Sequence, residues 1–166
     1  MAKITLGGQP TETNGELPAV NEPAPDFQLT KTDFSEVNLS DYNGKNVILN
    51  IFPSVDTSVC AMSVRKFNED AASLDNTVVL CISKDLPFAQ ARFCGAEGIE
   101  NAIPLSNFKH AEFAEKYGVR IQSGNFADLN ARAVVVVNPE GKVVHTELVP
   151  EIGEEPNYEE ALNAVK

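Results

Sequence analysis

Apolar residues concentrate in three short runs separated by polar and turn-forming stretches. Val47-Ile48-Leu49-Asn50-Ile51-Phe52, Thr77-Val78-Val79-Leu80-Cys81-Ile82-Ser83 and Arg132-Ala133-Val134-Val135-Val136-Val137 are too continuously apolar for strands with one wet face. They read as strands buried on both faces. Between the first two the period lengthens. Val64, Phe67, Ala71 and Leu74 fall three or four apart, the spacing of one helix face, and this helix should end near residues 73–76. Strand, helix, strand in that order makes a right-handed crossover with parallel strands. Asp85-Leu86-Pro87 predicts a second helix, with Asp85 as its cap and Pro87 in its first turn, ending at Gly95 to Gly98. A third helix is expected from Phe108 to Tyr117, because Phe108, Ala111, Ala114 and Tyr117 share a face and Gly118 suits a left-handed stop. Residues 119–131 read as loop. Asn138-Pro139-Glu140-Gly141 turns the third apolar strand into a fourth, Lys142 to Leu148, and a helix from about Asn157 to Val165 closes the chain.

The beginning of the chain lacks such runs. Residues 3–21 are rich in Gly, Pro, Thr and Asn, and predict a β-hairpin in which Ile4-Thr5-Leu6 and Leu17-Pro18-Ala19-Val20 flank a turn-rich middle with Asn14-Gly15. Glu22-Pro23-Ala24-Pro25 is an extended connector. Asp26 to Thr30 alternates like a short strand, Val37 to Ser40 reads as another strand or an edge, and Asn43-Gly44 as a turn. Nothing repeats and no composition break marks a boundary, so residues 1–166 are expected to form a single domain.

Charge and cysteine content narrow the function. Thirteen basic against 24 acidic residues give a net charge of −11, which argues against nucleic acid and anionic membrane surfaces as partners. No apolar run approaches a membrane span, and the first residues show no secretory apolar segment, so a cytoplasmic protein is expected. Three cysteines without a Cys-x-x-Cys pair form neither a structural disulfide framework nor, with two distant histidines, a zinc site.

Cys60 carries the strongest chemical signal. It lies at the seam between the first apolar strand and the first helix, in Pro53-Ser54-Val55-Asp56-Thr57-Ser58-Val59-Cys60. Asp56, Thr57 and Ser58 all make good N-caps, so Cys60 falls in or near the first turn. There the free backbone N–H groups and the positive helix end favour thiolate, the nucleophilic form. Thr57 can bring a hydroxyl to the same spot. The competing reading is a small buried hydrophobe. Cys81, inside an apolar strand, reads as desolvated and inert. Cys94, in the last turn of the second helix, gains nothing from the negative helix end. It suits either a structural role or attack on an already oxidised sulfur. Arg132 leads four valines: it is a solvated strand end or, since this strand should return beside the one leading to Cys60, a guanidinium at the sulfur. Arg65 reads as a surface ion-pair partner, His110 and His145 as solvated positions, and Glu151, Glu154, Glu155, Glu159 and Glu160 as a solvated acidic face.

Pro53-x-x-x-Thr57-x-x-Cys60 resembles the peroxidatic motif of peroxiredoxins. Asp56-Thr57-Ser58-Val59-Cys60-Ala61 and Asp85-Leu86-Pro87-Phe88-Ala89-Gln90-Ala91-Arg92-Phe93-Cys94-Gly95 resemble the bacterial thiol peroxidase branch, and the similarity covers nearly the whole chain. The resemblance implies an α/β thioredoxin-like fold of peroxiredoxin type with an N-terminal β-hairpin extension. It implies that Cys60 is peroxidatic and Cys94 resolving, joined in an intramolecular Cys60–Cys94 disulfide. Thr57 and Arg132 would hold the peroxide, Pro53 would support the site, and Cys81 would be dispensable. It further implies reduction of hydrogen peroxide and alkyl hydroperoxides, the latter preferred, in antioxidant defence. Thioredoxin would be the reductant, the assembly a homodimer, and no cofactor or metal would be needed. Two helix ends need not present their thiols within bonding reach, so a rearrangement on oxidation is expected. A thioredoxin-like disulfide reductase is disfavoured because Cys60-Ala61-Met62-Ser63 lacks a second cysteine. A thiol-based redox sensor or relay would share the oxidised states, and peroxide turnover separates it from the enzyme.

Overall fold

The structure is a computed structural model describing residues 1–166. Seven strands form one sheet in the order β4 (Glu36–Asn38), β3 (Gln28–Thr30), β7 (Ala102–Ser106), β6 (Thr77–Ser83), β5 (Asn46–Ile51), β8 (Ala133–Val137) and β9 (Val143–Leu148). Its centre is made by the three apolar runs: β5 (Asn46–Ile51), β6 (Thr77–Ser83) and β8 (Ala133–Val137). β5 and β6 are parallel, joined by α1 (Ser58–Ala71), as the strand–helix–strand pattern requires. β8 runs antiparallel to β5, and β9 (Val143–Leu148) antiparallel to β8.

Side-chain parity sorts this sheet into two apolar layers. Val47, Leu49, Ile51, Leu80, Ile82, Ala133 and Val135 face α3 (Ala111–Tyr117), where Phe113 and Tyr117 pack. Ile48, Phe52, Val79, Cys81, Val134 and Val136 face the other way, against Cys60, Val64 and Phe67 of α1 and Ala161 of α4 (Tyr158–Asn163). Each fully buried Val, Leu, Ile or Phe contributes roughly 1.5–3 kcal/mol, so α1 is held firmly from Cys60 to Phe67. α2 (Pro87–Glu97) buries only Pro87, Gln90 and Phe93, and is held much less.

Four details differ from the sequence expectation. The N-terminal hairpin pairs β1 (Lys3–Leu6) with β2 (Gln9–Glu12), and residues 17–20 form no strand. The turn is Gly7-Gly8, with φ of 57° and 83°. A two-residue turn with both φ values positive matches the twist of paired strands, and glycine enters it without strain. A strand not read from the sequence, β7 (Ala102–Ser106), lies beside β6 and contains Pro104. Proline is tolerated because the ladder to β6 uses alternate N–H groups, such as that of Asn107 to the Ser83 carbonyl, while β3 (Gln28–Thr30) meets β7 only at Thr30–Ser106. α3 starts at Ala111 rather than Phe108, with His110 as its cap residue. Finally, α2 is capped by the Leu86 backbone, not by Asp85, although Pro87 does stand in its first turn. The hairpin β3–β4, with β4 at Glu36–Asn38, closes the far edge of the sheet.

Candidate active site

The carboxyl end of β5 opens into the loop Phe52 to Asp56, and Thr57 starts α1. Thr57 is the N-cap, its backbone extended, and its hydroxyl oxygen accepts from the Cys60 N–H at 3.4 Å. The same hydroxyl donates to the Ser54 carbonyl at 3.1 Å, fixing its orientation. Cys60 is fully buried in the first turn. Pro53 is buried in the loop beneath.

Strand register delivers the arginine. Antiparallel pairing sets Ala133 against Ile51, so Arg132 stands one step further, beside the start of the Cys60 loop. It shares the parity of Val134 and Val136, whose side chains face α1. Its guanidinium Nη2 donates to Cys60 Sγ at 3.2 Å, and its Nε to the Ile152 carbonyl at 2.7 Å. Nη1 has no partner, although Arg132 is only 2% exposed. A buried, fixed cation with one donor on sulfur and another free can bind an oxygen that arrives at the sulfur. The alternative of a solvated strand end for Arg132 is thereby excluded.

Asp85 serves this loop rather than α2. Its carboxylate accepts from Ser54 Oγ at 2.7 Å, Val55 N–H at 2.8 Å and Ser83 Oγ at 2.6 Å. Because β5 and β6 are parallel, their carboxyl ends lie side by side, and an acidic residue just past β6 can clamp the loop just past β5. The expected role of Asp85 as the cap of α2 is thus replaced by a clamp across two parallel strands.

The other two thiols lie on the same apolar layer. Cys81 is buried, opposite Asn50 across β5–β6, with the Asn50 amide nitrogen 3.7 Å from its sulfur. Burial pushes its thiol up to about 12. Cys94 sits in the last turn of α2 and is half-buried, its carbonyl accepting from Gly98 and Ile99. Burial pushes its thiol up to about 11. All three cysteines are free thiols. The structure therefore brings Thr57, Cys60, Pro53 and Arg132 together, and leaves Cys94 helical on a neighbouring element.

Arg65 pairs with Glu97, as a surface ion pair between α1 and α2. His110 is not solvated: it is 9% exposed, with Nε2 2.8 Å from Glu36. Glu151 also departs from the acidic face expected of it. It accepts four hydrogen bonds from Thr5, Gly7, Gly8 and Gly153.

A capped helix start holding a buried cysteine under a buried arginine, on this sheet order, defines the class. The chain belongs to the Redoxin family, whose model matches residues 19–162. Within that family it is similar to curated thiol peroxidases. It is 59% identical over 165 residues to the thiol peroxidase of Mycobacterium tuberculosis (strain ATCC 25618 / H37Rv), with 99% of each chain covered. It is 54% identical, over the same length and coverage, to the thiol peroxidase of Corynebacterium glutamicum. A solved structure, a peroxiredoxin-like protein from Aquifex aeolicus, superposes with a TM-score of 0.94 at 38% identity, covering 99% of this chain and 96% of that one. The fold is thioredoxin-like and the activity is that of a peroxidase, an oxidoreductase. No helix is long and apolar enough to cross a membrane.

Proposed function

We propose that the protein is a thioredoxin-dependent peroxidase that reduces hydrogen peroxide and alkyl hydroperoxides in the cytoplasm through Cys60 and Cys94. The observation that carries this reading is the Arg132 guanidinium 3.2 Å from the Cys60 sulfur at a capped helix start. The Cys60 thiolate attacks the terminal peroxide oxygen. The O–O bond breaks, the other oxygen, which carries the organic group or hydrogen, leaves as alcohol or water after taking a proton, and Cys60 becomes a sulfenic acid. The free Nη1 of Arg132, the Thr57 hydroxyl and first-turn N–H groups receive the two oxygens as charge moves between them.

Cys94 then attacks the sulfenic sulfur. The S–S bond forms, the S–O bond breaks, and hydroxide leaves with the Cys94 proton as water. A thiol raised to about 11 by burial is a poor nucleophile while α2 is closed. Opening α2 does two things at once: it carries Cys94 towards Cys60 and returns its thiol to water, where it ionises more readily. Thioredoxin supplies two electrons to reduce the disulfide.

A homodimer is the assembly we favour. Phe34, Leu86 and Phe88 are exposed large apolar residues, with the Phe34 and Phe88 rings 5.0 Å apart, next to the Asp85 clamp. The deciding experiment is an NADPH-coupled assay with thioredoxin and its reductase on hydrogen peroxide and on an organic hydroperoxide. Turnover of both supports the reading. Oxidation to the disulfide without turnover would point to a redox relay instead.

A further inference from the structure

Arg132 has one hydrogen bond that sets its aim besides the contact to sulfur, the 2.7 Å bond from Nε to the Ile152 carbonyl. The position of that carbonyl therefore sets where Nη1 and Nη2 point, because the guanidinium is a rigid planar fork. Ile152 belongs to no helix or strand of the main sheet. What holds it is the N-terminal hairpin. Thr5 N–H donates to the Pro150 carbonyl at 2.8 Å, and Ile152 N–H to the Thr5 carbonyl at 2.8 Å. The Ile152 side chain packs with Ile4, Ile121 and Ala131.

Glu151 closes this arrangement from outside. Its Oε1 accepts from Thr5 Oγ1 at 2.9 Å and Gly8 N–H at 2.8 Å; its Oε2 accepts from Gly7 N–H at 3.2 Å and Gly153 N–H at 2.7 Å. One carboxylate thus ties the hairpin tip to the residue that follows Ile152. The left-handed turn at Gly7-Gly8 is what points two successive N–H groups at it.

Resting on the roles proposed above for Cys60 and Arg132, we propose that Glu151 is a positioning residue for peroxide reduction. It fixes the Ile152 carbonyl and so keeps the Arg132 guanidinium aimed at the Cys60 sulfur and the incoming oxygen. The hairpin is on this account part of the active-site support, not a surface ornament. The hydrogen bonds from backbone and Thr5 hold the Glu151 carboxyl down at about 2, so the tie is made by a carboxylate at any working pH.

A double-mutant cycle on the full-length enzyme tests this. The readouts are the rate of reduced enzyme with hydrogen peroxide and the rate of Cys60 alkylation by iodoacetamide at neutral pH. Glu151→Gln places an amide NH2 where two N–H groups already point, and should slow both rates roughly tenfold, a small misplacement of a charge-binding group being enough. In an Arg132→Gln background, Glu151→Gln should have no further effect, because there is no guanidinium left to misdirect. Unchanged rates in Glu151→Gln, or the same slowing in both backgrounds, would overturn the proposal, the second by showing a general structural loss. An Arg132→Gln enzyme as fast as the native one would instead overturn the underlying role of Arg132, and the proposal with it. Should Glu151→Gln fail to fold, Thr5→Val carries the same cycle: it keeps the backbone bonds, removes one donor to Glu151, and should slow both rates about threefold.

Discussion

Cys60 and Cys81 are equally shut off from solvent, 0% and 2% exposed, and lie on the same apolar layer. Their surroundings nevertheless differ in every respect that matters to a thiol. Cys60 stands at a helix start, under a capping threonine, with a guanidinium on its sulfur. Cys81 stands mid-strand between buried neighbours, its sulfur partnered by the neutral Asn50 amide at 3.7 Å, and burial pushes its thiol up to about 12. Burial alone favours the neutral form. What distinguishes a reactive buried thiol is the charge and dipole arranged around it, and in this fold those arrive by topology. The helix start comes from the crossover after β5, and the arginine from the antiparallel return of β8.

The largest test of that contrast removes the thiols themselves. Cys60→Ser should abolish peroxide reduction, whereas Cys94→Ser should consume one equivalent of peroxide per chain and then stall, with no NADPH oxidised in the coupled assay. If Cys94→Ser cycles normally with thioredoxin, another thiol resolves the sulfenic acid and the pairing is wrong. Next comes the charge. Arg132→Gln keeps a donor but loses the cation, and should slow peroxide attack about 10²–10³-fold, the loss typical of a preorganised donor at a reacting oxygen. Stopped-flow rates on reduced protein measure it; a change under threefold would mean that the helix start alone activates Cys60.

A third, smaller effect concerns how Cys94 is held. α2 offers only Pro87, Gln90 and Phe93 to the interior; the Gln90 side-chain amide donates to Ser83 Oγ at 3.1 Å and to the Leu105 carbonyl at 2.9 Å, but its Oε1 finds no partner. Its two ties to the Cys60 side, Arg92–Asp56 and Arg65–Glu97, join largely exposed groups and contribute little. α2 should therefore open far more readily than α1. Hydrogen exchange should be faster over residues 87–97 in the Cys60–Cys94 disulfide form than in the reduced one. Equal protection in both states would mean that the thiols meet without unwinding.

The sequence made the central strands, α1 and the Thr57–Cys60 seam legible, because continuous apolar runs and a capping residue are local signals. Arg132 was legible only as one of two alternatives, since its partner lies 72 residues away and strand register decides the matter. Asp85 has the side chain and the position of a helix cap, yet does other work. As a cap it would have acted on its own helix; as a clamp it acts across two parallel strands, which no local pattern reports. Pro104 hid β7 for a related reason: a proline disqualifies a strand unless one side of it has no ladder to lose. Glu151 looked like one acidic side chain among five. Nothing local distinguishes it, because its partners come from the other end of the chain.

The smallest expected effect isolates Cys81. Cys81→Ser should leave peroxidase activity unchanged and lower stability at neutral pH by roughly 1–2 kcal/mol, the range for a buried polar group whose bonding is imperfectly replaced. Its sharper signature lies at high pH. In the folded protein the Cys81 thiol titrates at about 12 rather than its ordinary 9.0. Between those values the unfolded chain loses this proton while the folded chain keeps it. The folded state then binds more protons, and stability falls as pH rises. The contribution is fully present below about 9 and is lost progressively towards about 12. Serine does not titrate there, so Cys81→Ser should flatten this part of the alkaline decline in urea midpoints measured from pH 8 to 11. The decline due to Cys94 and to the raised tyrosines Tyr117 and Tyr158 should remain. A variant whose alkaline slope matched the native protein would show that Cys81 ionises as easily folded as unfolded. The contrast with Cys60 would then have to rest on nucleophile access rather than on the charge around the sulfur.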